Sequence, residues 1–64
     1  MFNLKFTTGN AAFRDPYNGK EDEFFERLEC VRILKKITKA VEDGETHGSI
    51  MDINGNKVGE WSND

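Results

Sequence analysis

The sequence is short of nearly everything that small proteins use as staples. Of its 64 residues, one is cysteine, one histidine and one proline. The single thiol, Cys30, closes no intrachain disulfide. No Cys-x-x-Cys or Cys/His cluster supplies the ligand set of a structural zinc site. No apolar run approaches the roughly 18 residues that a membrane-spanning helix requires. The opening Met1-Phe2-Asn3-Leu4-Lys5-Phe6 is too short and too polar for a secretion signal, and together with one unpaired thiol it points to a reducing, cytoplasmic setting. Basic excess is missing as well. Nine Lys and Arg stand against twelve Asp and Glu, a net charge of −3, which argues against a protein that holds nucleic acid by neutralising phosphates. The glycines are scattered singly, so no phosphate-cradling loop is present. Repeats, low-complexity tracts and linkers are also absent.

Packing must therefore hold the chain together, and there is little of it to be had. A domain of this length buries only about 60% of the surface its unfolded chain exposes. Five Phe, one Trp and one Tyr within a hydrophobic content of 36% are enough to lift it above a disordered composition.

The order of elements reads strand, loop, helix, hairpin. Phe2, Leu4 and Phe6 alternate with polar residues, the period of a half-buried strand over residues 2–7. Thr8-Gly9-Asn10 ends it. Residues 8–19 form a loop pinned by Phe13 and Tyr17, with room for one helical turn; Pro16 biases Asp15 away from helix. From Lys20 to Asp43, Phe24, Leu28, Val31, Leu34 (or Ile33), Ile37 and Val41 recur at three- and four-residue steps, the stripe of an amphipathic helix. Asn18 and Asp22 compete as its N-cap. Glu21, Asp22, Glu23 and Glu26 crowd its start while Lys35, Lys36 and Lys39 follow, a polarity that complements the helix dipole. Gly44 suits the left-handed residue that closes it.

Residues 46–62 hold two short strands around Asp52-Ile53-Asn54-Gly55-Asn56. Asp-x-Asn-x-Asn also opens calcium loops, but such a loop needs Gly at its sixth position and a bidentate Glu at its twelfth. Lys57 and Asn63 stand there. The hairpin reading fits better. Asp52 and Gly55 occupy the first and fourth corners of a type I turn, and Gly55 takes the left-handed conformation of a three-residue loop with a bulge. In that register Asp52 pairs with Asn56, Ile50 lies opposite Val58, and Met51 lies beside Lys57. A two-residue Asn54-Gly55 turn is the rival, shifted by one residue.

Asn10-Ala11-Ala12-Phe13, the helical Val31-Arg32-Ile33-Leu34 and the closing Gly48-Ser49-Ile50-Met51-Asp52-Ile53-Asn54-Gly55-Asn56-Lys57-Val58-Gly59-Glu60-Trp61 together resemble a family of short uncharacterised bacterial and phage proteins. The likeness covers most of the chain, and its motifs are structural. It implies a bacterial cytoplasmic or mobile-element setting and carries over no catalytic residue.

Chemistry is thinly represented. His47 lacks a second ligand or a nucleophile at a telling spacing, and reads as a strand-end side chain. Cys30 has Glu26 and Glu29 as helix neighbours, the wrong electrostatics for a reactive thiol. Arg27, Arg32, Lys35, Lys36 and Lys39 spread over the polar face and form no single line. We expect no catalytic, cofactor-binding or metal-ligating residue. Tyr17 and Trp61, aromatics of the kind that dominate interface hot spots, together with the acidic Glu21, Asp22, Glu23 and Glu26, form the candidate partner surface. Asp52, Asn54 and Gly55 are the structural turn.

The expected fold is α+β, β-α-β-β. One long helix packs on a three-stranded, mainly antiparallel sheet of order β2-β3-β1, with the first helical turns lying over Ala11, Phe13 and Tyr17. The two sheet edges invite a homo-oligomer through an edge strand. The expected role is a non-catalytic protein-interaction or structural module. The alternatives are a phage or mobile-element inhibitor acting on a host enzyme or defence system through a charged surface, and a weak nucleic-acid binder using the basic half of the helix.

Overall fold

The computed structural model describes all 64 residues. Strand β1 (Phe2–Phe6) is followed by a single 3-10 turn (Ala11–Phe13), helix α1 (Glu23–Glu42), and strands β2 (His47–Met51) and β3 (Lys57–Asn63). Strand β3 is central. It pairs antiparallel with β1 on one side and β2 on the other, giving the order β1-β3-β2. This is the expected arrangement read from the opposite edge. The strand registers run Phe2↔Asn63 to Phe6↔Gly59 on one side and His47↔Ser62 to Met51↔Lys57 on the other. The chain ends meet, with Met1 and Asp64 exchanging backbone hydrogen bonds. The molecule is elongated, 39 × 19 × 15 Å.

Helix α1 starts at Glu23, three residues later than the periodicity predicts. Asp22 is extended, and its carboxylate accepts the Phe24 N–H at 2.8 Å, satisfying one of the orphan donors of the first turn. Asn18, the rival cap, spends its side chain on the Lys20 N–H at 2.8 Å. At the other end Gly44 has φ +90°. Its N–H donates to Val41 O and that of Glu45 to Ala40 O, each at 3.0 Å. This paired closure needs a residue free to adopt positive φ.

The core consists of Phe13, Ile33, Ile37, Ile50, Val58 and Trp61, with Phe6, Ala12, Cys30 and Ala40 packed against it. Here the expected stripe needs correcting. Of its members, Ile33 and Ile37 are buried, while Phe24, Leu28, Val31, Leu34 and Val41 are exposed. The cause is geometric. At about 3.6 residues per turn, Cys30, Ile33, Ile37 and Ala40 share one side of the helix, whereas Phe24, Leu28 and Val31 share nearly the opposite side. Both sides are apolar, and the sheet occupies the first. Glu29 sits on the buried side and masks that stripe in the sequence.

A bulge in β3 completes the core. The turn itself has the expected geometry: the Asp52 N–H donates to Asn56 O at 2.9 Å, the Gly55 N–H to Asp52 O at 3.0 Å, and Gly55 has φ +83°. Met51 faces Lys57, yet Ile50 faces Gly59 and not Val58, because the register shifts between Ile50 and Met51. Val58 is the extra residue, and the bulge allows it to enter the core although it is odd in register with Trp61. Gly59 is required on the other side. A Cβ there would lie 1.9 Å from Lys5 O and 2.6 Å from Phe6 Cα, so any side chain would separate β1 from β3.

Two aromatic expectations also change. Tyr17 is 93% exposed and pins nothing. The loop is held by Phe13, which stacks on Phe6 with ring centroids 6.4 Å apart. Trp61 is 4% exposed and stacks under Phe2 at 5.7 Å. Its indole fits because Gly48 opposite has no side chain; a Cβ there would lie 2.7 Å from the indole nitrogen.

Candidate interaction surface

The hairpin turn is the most heavily hydrogen-bonded part of the molecule. Asp52 is buried, and its carboxylate accepts from the backbone N–H groups of Asn54 and Asn56, each at 2.9 Å, and from the side chains of Asn10 and Asn56 at 2.5 and 3.4 Å. Burial alone would raise this carboxyl. The hydrogen bonds from Asn56, Asn10 and Asn54 outweigh it and hold the group below the ordinary carboxylate range. With its oxygens occupied by N–H donors, Asp52 organises a turn. Asn10 also caps the 3-10 turn by accepting the Ala12 N–H, so one residue joins the first loop to the last hairpin.

Glu29 grips the same turn from the helix. It is buried, pairs with Arg32 through both guanidinium contacts and accepts the Ile53 N–H at 2.8 Å. Arg32 in turn donates to Met51 O at 3.0 Å. The bond to Glu29 is the first cause of the Arg32 guanidinium holding its proton more tightly than usual. In the sequence Glu29 stands out only as a neighbour of Cys30. Helical spacing gives no warning of its burial: Glu26, seven residues before Ile33, stands in the same register and is nevertheless exposed. These two networks fix the hairpin to the helix without metal or disulfide, and they are structural in character.

The surface that remains unexplained by folding lies on the other side of α1. Phe24 is 59% exposed, Leu28 52% and Val31 44%. They follow one another at steps of four and three residues, about 6 and about 4.5 Å along the axis. Phe24 and Phe25 meet edge to face at 5.4 Å. Farther along, Leu34 and Val41 face Phe2 and Leu4 of β1 across an open, mostly apolar groove of about 350 Å³. Isolated exposed apolar residues are ordinary, but a continuous run of this length on a monomer marks a contact surface.

The predicted site residues do not stay together. Glu21, Glu23 and Glu26 are exposed at the start of α1, beside Phe24, and none of them enters a salt bridge. Asp22 is committed to its cap. Tyr17 lies on the exposed loop, and Trp61 leaves the candidate surface for the core. Asp52, Asn54 and Gly55 form the turn assigned to them. Elsewhere, His47 is exposed and meets the Thr46 hydroxyl at 3.3 Å. Cys30 is half-buried, and burial first, then Glu26 and Glu29, push its thiol up, away from the thiolate that a nucleophile needs. A second opening of about 420 Å³ lies between the last turns of α1 and the free edge of β2. No helix is long and apolar enough to cross a membrane.

Comparison with protein-family models, with curated proteins and with solved structures returns no match.

Proposed function

We propose that this chain is a non-catalytic interaction module and that its contact surface is the outward side of α1, Phe24, Leu28 and Val31, with the exposed Glu21 and Glu23 at its Phe24 end. The observation that supports this reading is the exposure of those three side chains while the smaller Ile33 and Ile37 side holds the sheet. A surface of this kind is left open in a marginal fold because something covers it in use; otherwise it is an aggregation hazard. Glu21 and Glu23, exposed at the Phe24 end of the patch, favour a partner with positive charge there, by complementary steering. The three free carboxylates Glu21, Glu23 and Glu26 favour a second reading, an inhibitor that masks a basic surface of a host enzyme or defence protein.

The two readings part in one experiment. The wild-type chain, Leu28→Glu, and a triple variant with Glu21, Glu23 and Glu26 changed to Gln are immobilised as bait in extract of the native host. On the first reading Leu28→Glu loses a specifically retained protein about tenfold or more, the loss of one interface hot spot, and the triple variant keeps most of it. If the triple variant alone loses it, the charged inhibitor reading stands. Full retention by both removes this end of α1 from consideration.

A further inference from the structure

We propose a second contact surface, the outer edge of β1, and assign it one occupant: β1 of a second copy of the chain, paired antiparallel about a two-fold axis at Leu4. The two sheets then continue into each other.

Hydrogen-bond alternation shows what this edge offers. In an antiparallel ladder every second residue turns its N–H and C=O toward a given neighbour. Met1 with Asp64, and Thr7 with Val58, bond across the β1–β3 junction. Asn3 and Lys5 fall in phase with them, so Phe2, Leu4 and Phe6 turn their backbone groups outward. No strand lies beyond those groups and no loop bonds to them. The edge of β2 is different. The Asn63 N–H donates to Thr46 O, which by the same alternation turns His47, Ser49 and Met51 outward. There Arg32 already takes Met51 O at 3.0 Å, and Lys36, Lys39, Asp43 and Glu45 line the opening beside the strand. Charges so placed keep an edge from pairing. Beside the edge of β1 lies the apolar groove, with Leu34 and Val41 across from Phe2 and Leu4 and only Glu42 charged. Lys5, the single charge of β1, lies on the other face of the sheet, since Leu4 shares a face with the buried Trp61.

Such an edge fits an extended segment with free backbone groups and apolar side chains at alternate positions. β1 is itself that segment, and this self-complementarity selects a second copy. The register follows. With the axis at Leu4, Leu4 pairs with the partner's Leu4 and Phe2 with the partner's Phe6, so every outward group of both strands is used. An axis at Lys5 would set that lysine against the partner's Lys5 and leave Phe2 unpaired, and one at Asn3 would leave Phe6 unpaired. At Leu4, each Lys5 lies opposite the partner's Asn3. The axis stands perpendicular to the joined sheet, so both helices lie on one face and their outward sides stay uncovered. The pair thereby displays Phe24, Leu28 and Val31 twice, as a bivalent surface, although the pairing itself does not depend on that reading.

Sedimentation equilibrium of the whole chain from roughly 10 µM to 1 mM, the range of weak complexes, tests this. The mass should rise from one chain to two and no further. Over the same range amide exchange should slow at Leu4 and Phe6 and stay fast at Ser49. Asn3, exposed like Lys5, gives a test of register in both directions. Asn3→Glu should tighten the pair about fivefold and Asn3→Lys should loosen it as much, each cross-strand contact being made twice. Leu4→Pro removes an N–H that β3 does not use and should hold the mass at one chain. If that variant does not fold, the two Asn3 substitutions decide. A wild-type mass of one chain throughout overturns the dimer. A dimer indifferent to both Asn3 substitutions, or one that protects Ser49 in place of Leu4, overturns it equally. Leu28→Glu should leave the mass of the wild type unchanged; if it alone dissolves the dimer, the edge of β1 is not the interface. Failure of the pairing leaves the proposed α1 surface standing, because the Asn3 and Leu4 variants do not touch it.

Discussion

The two long sides of α1 differ less in composition than in what faces them. One side presents Ile33 and Ile37 with the small Cys30 and Ala40, and includes a buried acid. The other presents Phe24, Leu28 and Val31, bulkier and more apolar, and includes no acid among them. Ranked by hydrophobicity alone the second would be the core. The first is the core because small residues at its edges let the helix approach a sheet carrying Ile50, Val58 and Trp61, and because Glu29 has donors to receive there in Ile53 and Arg32. Burial was decided by fit and by satisfied polar groups, and the greasier side was left over.

Substitution in pairs, one on each side, can break or sharpen that contrast. The largest effect is expected where the sheet is closed against itself: Gly59→Ala should abolish cooperative folding, because the clash is with backbone that cannot yield. A cooperative unfolding curve for it would mean that β1 does not pair as described. Next, Ile33→Ala should cost about 2–5 kcal/mol, while Leu28→Ala should stay within about 0.5 kcal/mol of the wild type in dilute solution. Urea denaturation of the two variants measures the gap, and equal costs would erase the distinction between the sides. The acids offer a subtler contrast. Glu29→Ala leaves the Ile53 N–H and part of Arg32 unsatisfied, and should cost roughly 1–3 kcal/mol. Glu26→Ala, exposed three residues earlier, should cost nothing measurable by the same assay.

Acidification probes the turn when the wild type is compared with Asp52→Asn. The Asp52 carboxyl ionises at lower pH in the folded chain than in the unfolded one, so the unfolded state binds the extra proton. The stability it contributes is therefore complete above the ordinary carboxylate range and is lost as pH falls through the lower, folded value. Melting temperature followed from roughly pH 5 to pH 2 should show the wild type converging on Asp52→Asn. Parallel curves would show that the carboxylate is not what the turn depends on. The smallest effect concerns the boundary between the sides. Cys30 should react slowly with iodoacetamide at neutral pH. In a Cys30→Ala background, a cysteine placed by Leu28→Cys should react at the rate of a free thiol.

Much of the fold was legible because its signals are local. Alternation marked β1, the Asp52–Gly55 chemistry marked the hairpin and its register at the turn, and Gly44 marked the end of α1. What was not legible depends on contacts between distant residues. A helical stripe can be read from spacing, but two stripes on one helix can be ranked only when the sheet is in place. The late start of α1 turned on whether Asn18 or Asp22 spent its side chain locally. Trp61 looks like an interface residue until Gly48, thirteen positions earlier, supplies the space that takes it inside. For the candidate surface, Glu21, Glu23 and Glu26 lie outside, while Asp22 is spent on its cap. The apolar residues beside them were hidden by the assumption that they were core.

The pairing of β1 with β3 has a consequence for how the chain is made. Of the three strands, β1 comes first along the chain and has its sole partner in the last one. Phe2, Leu4 and Phe6 must therefore wait, unpaired, through synthesis of everything between, and the closing of that long loop comes after the helix and hairpin already have their neighbours. Until that loop closes, the apolar residues of β1 have no backbone partner, which makes that strand the place where a chaperone, or a misfolding event, has its longest opportunity.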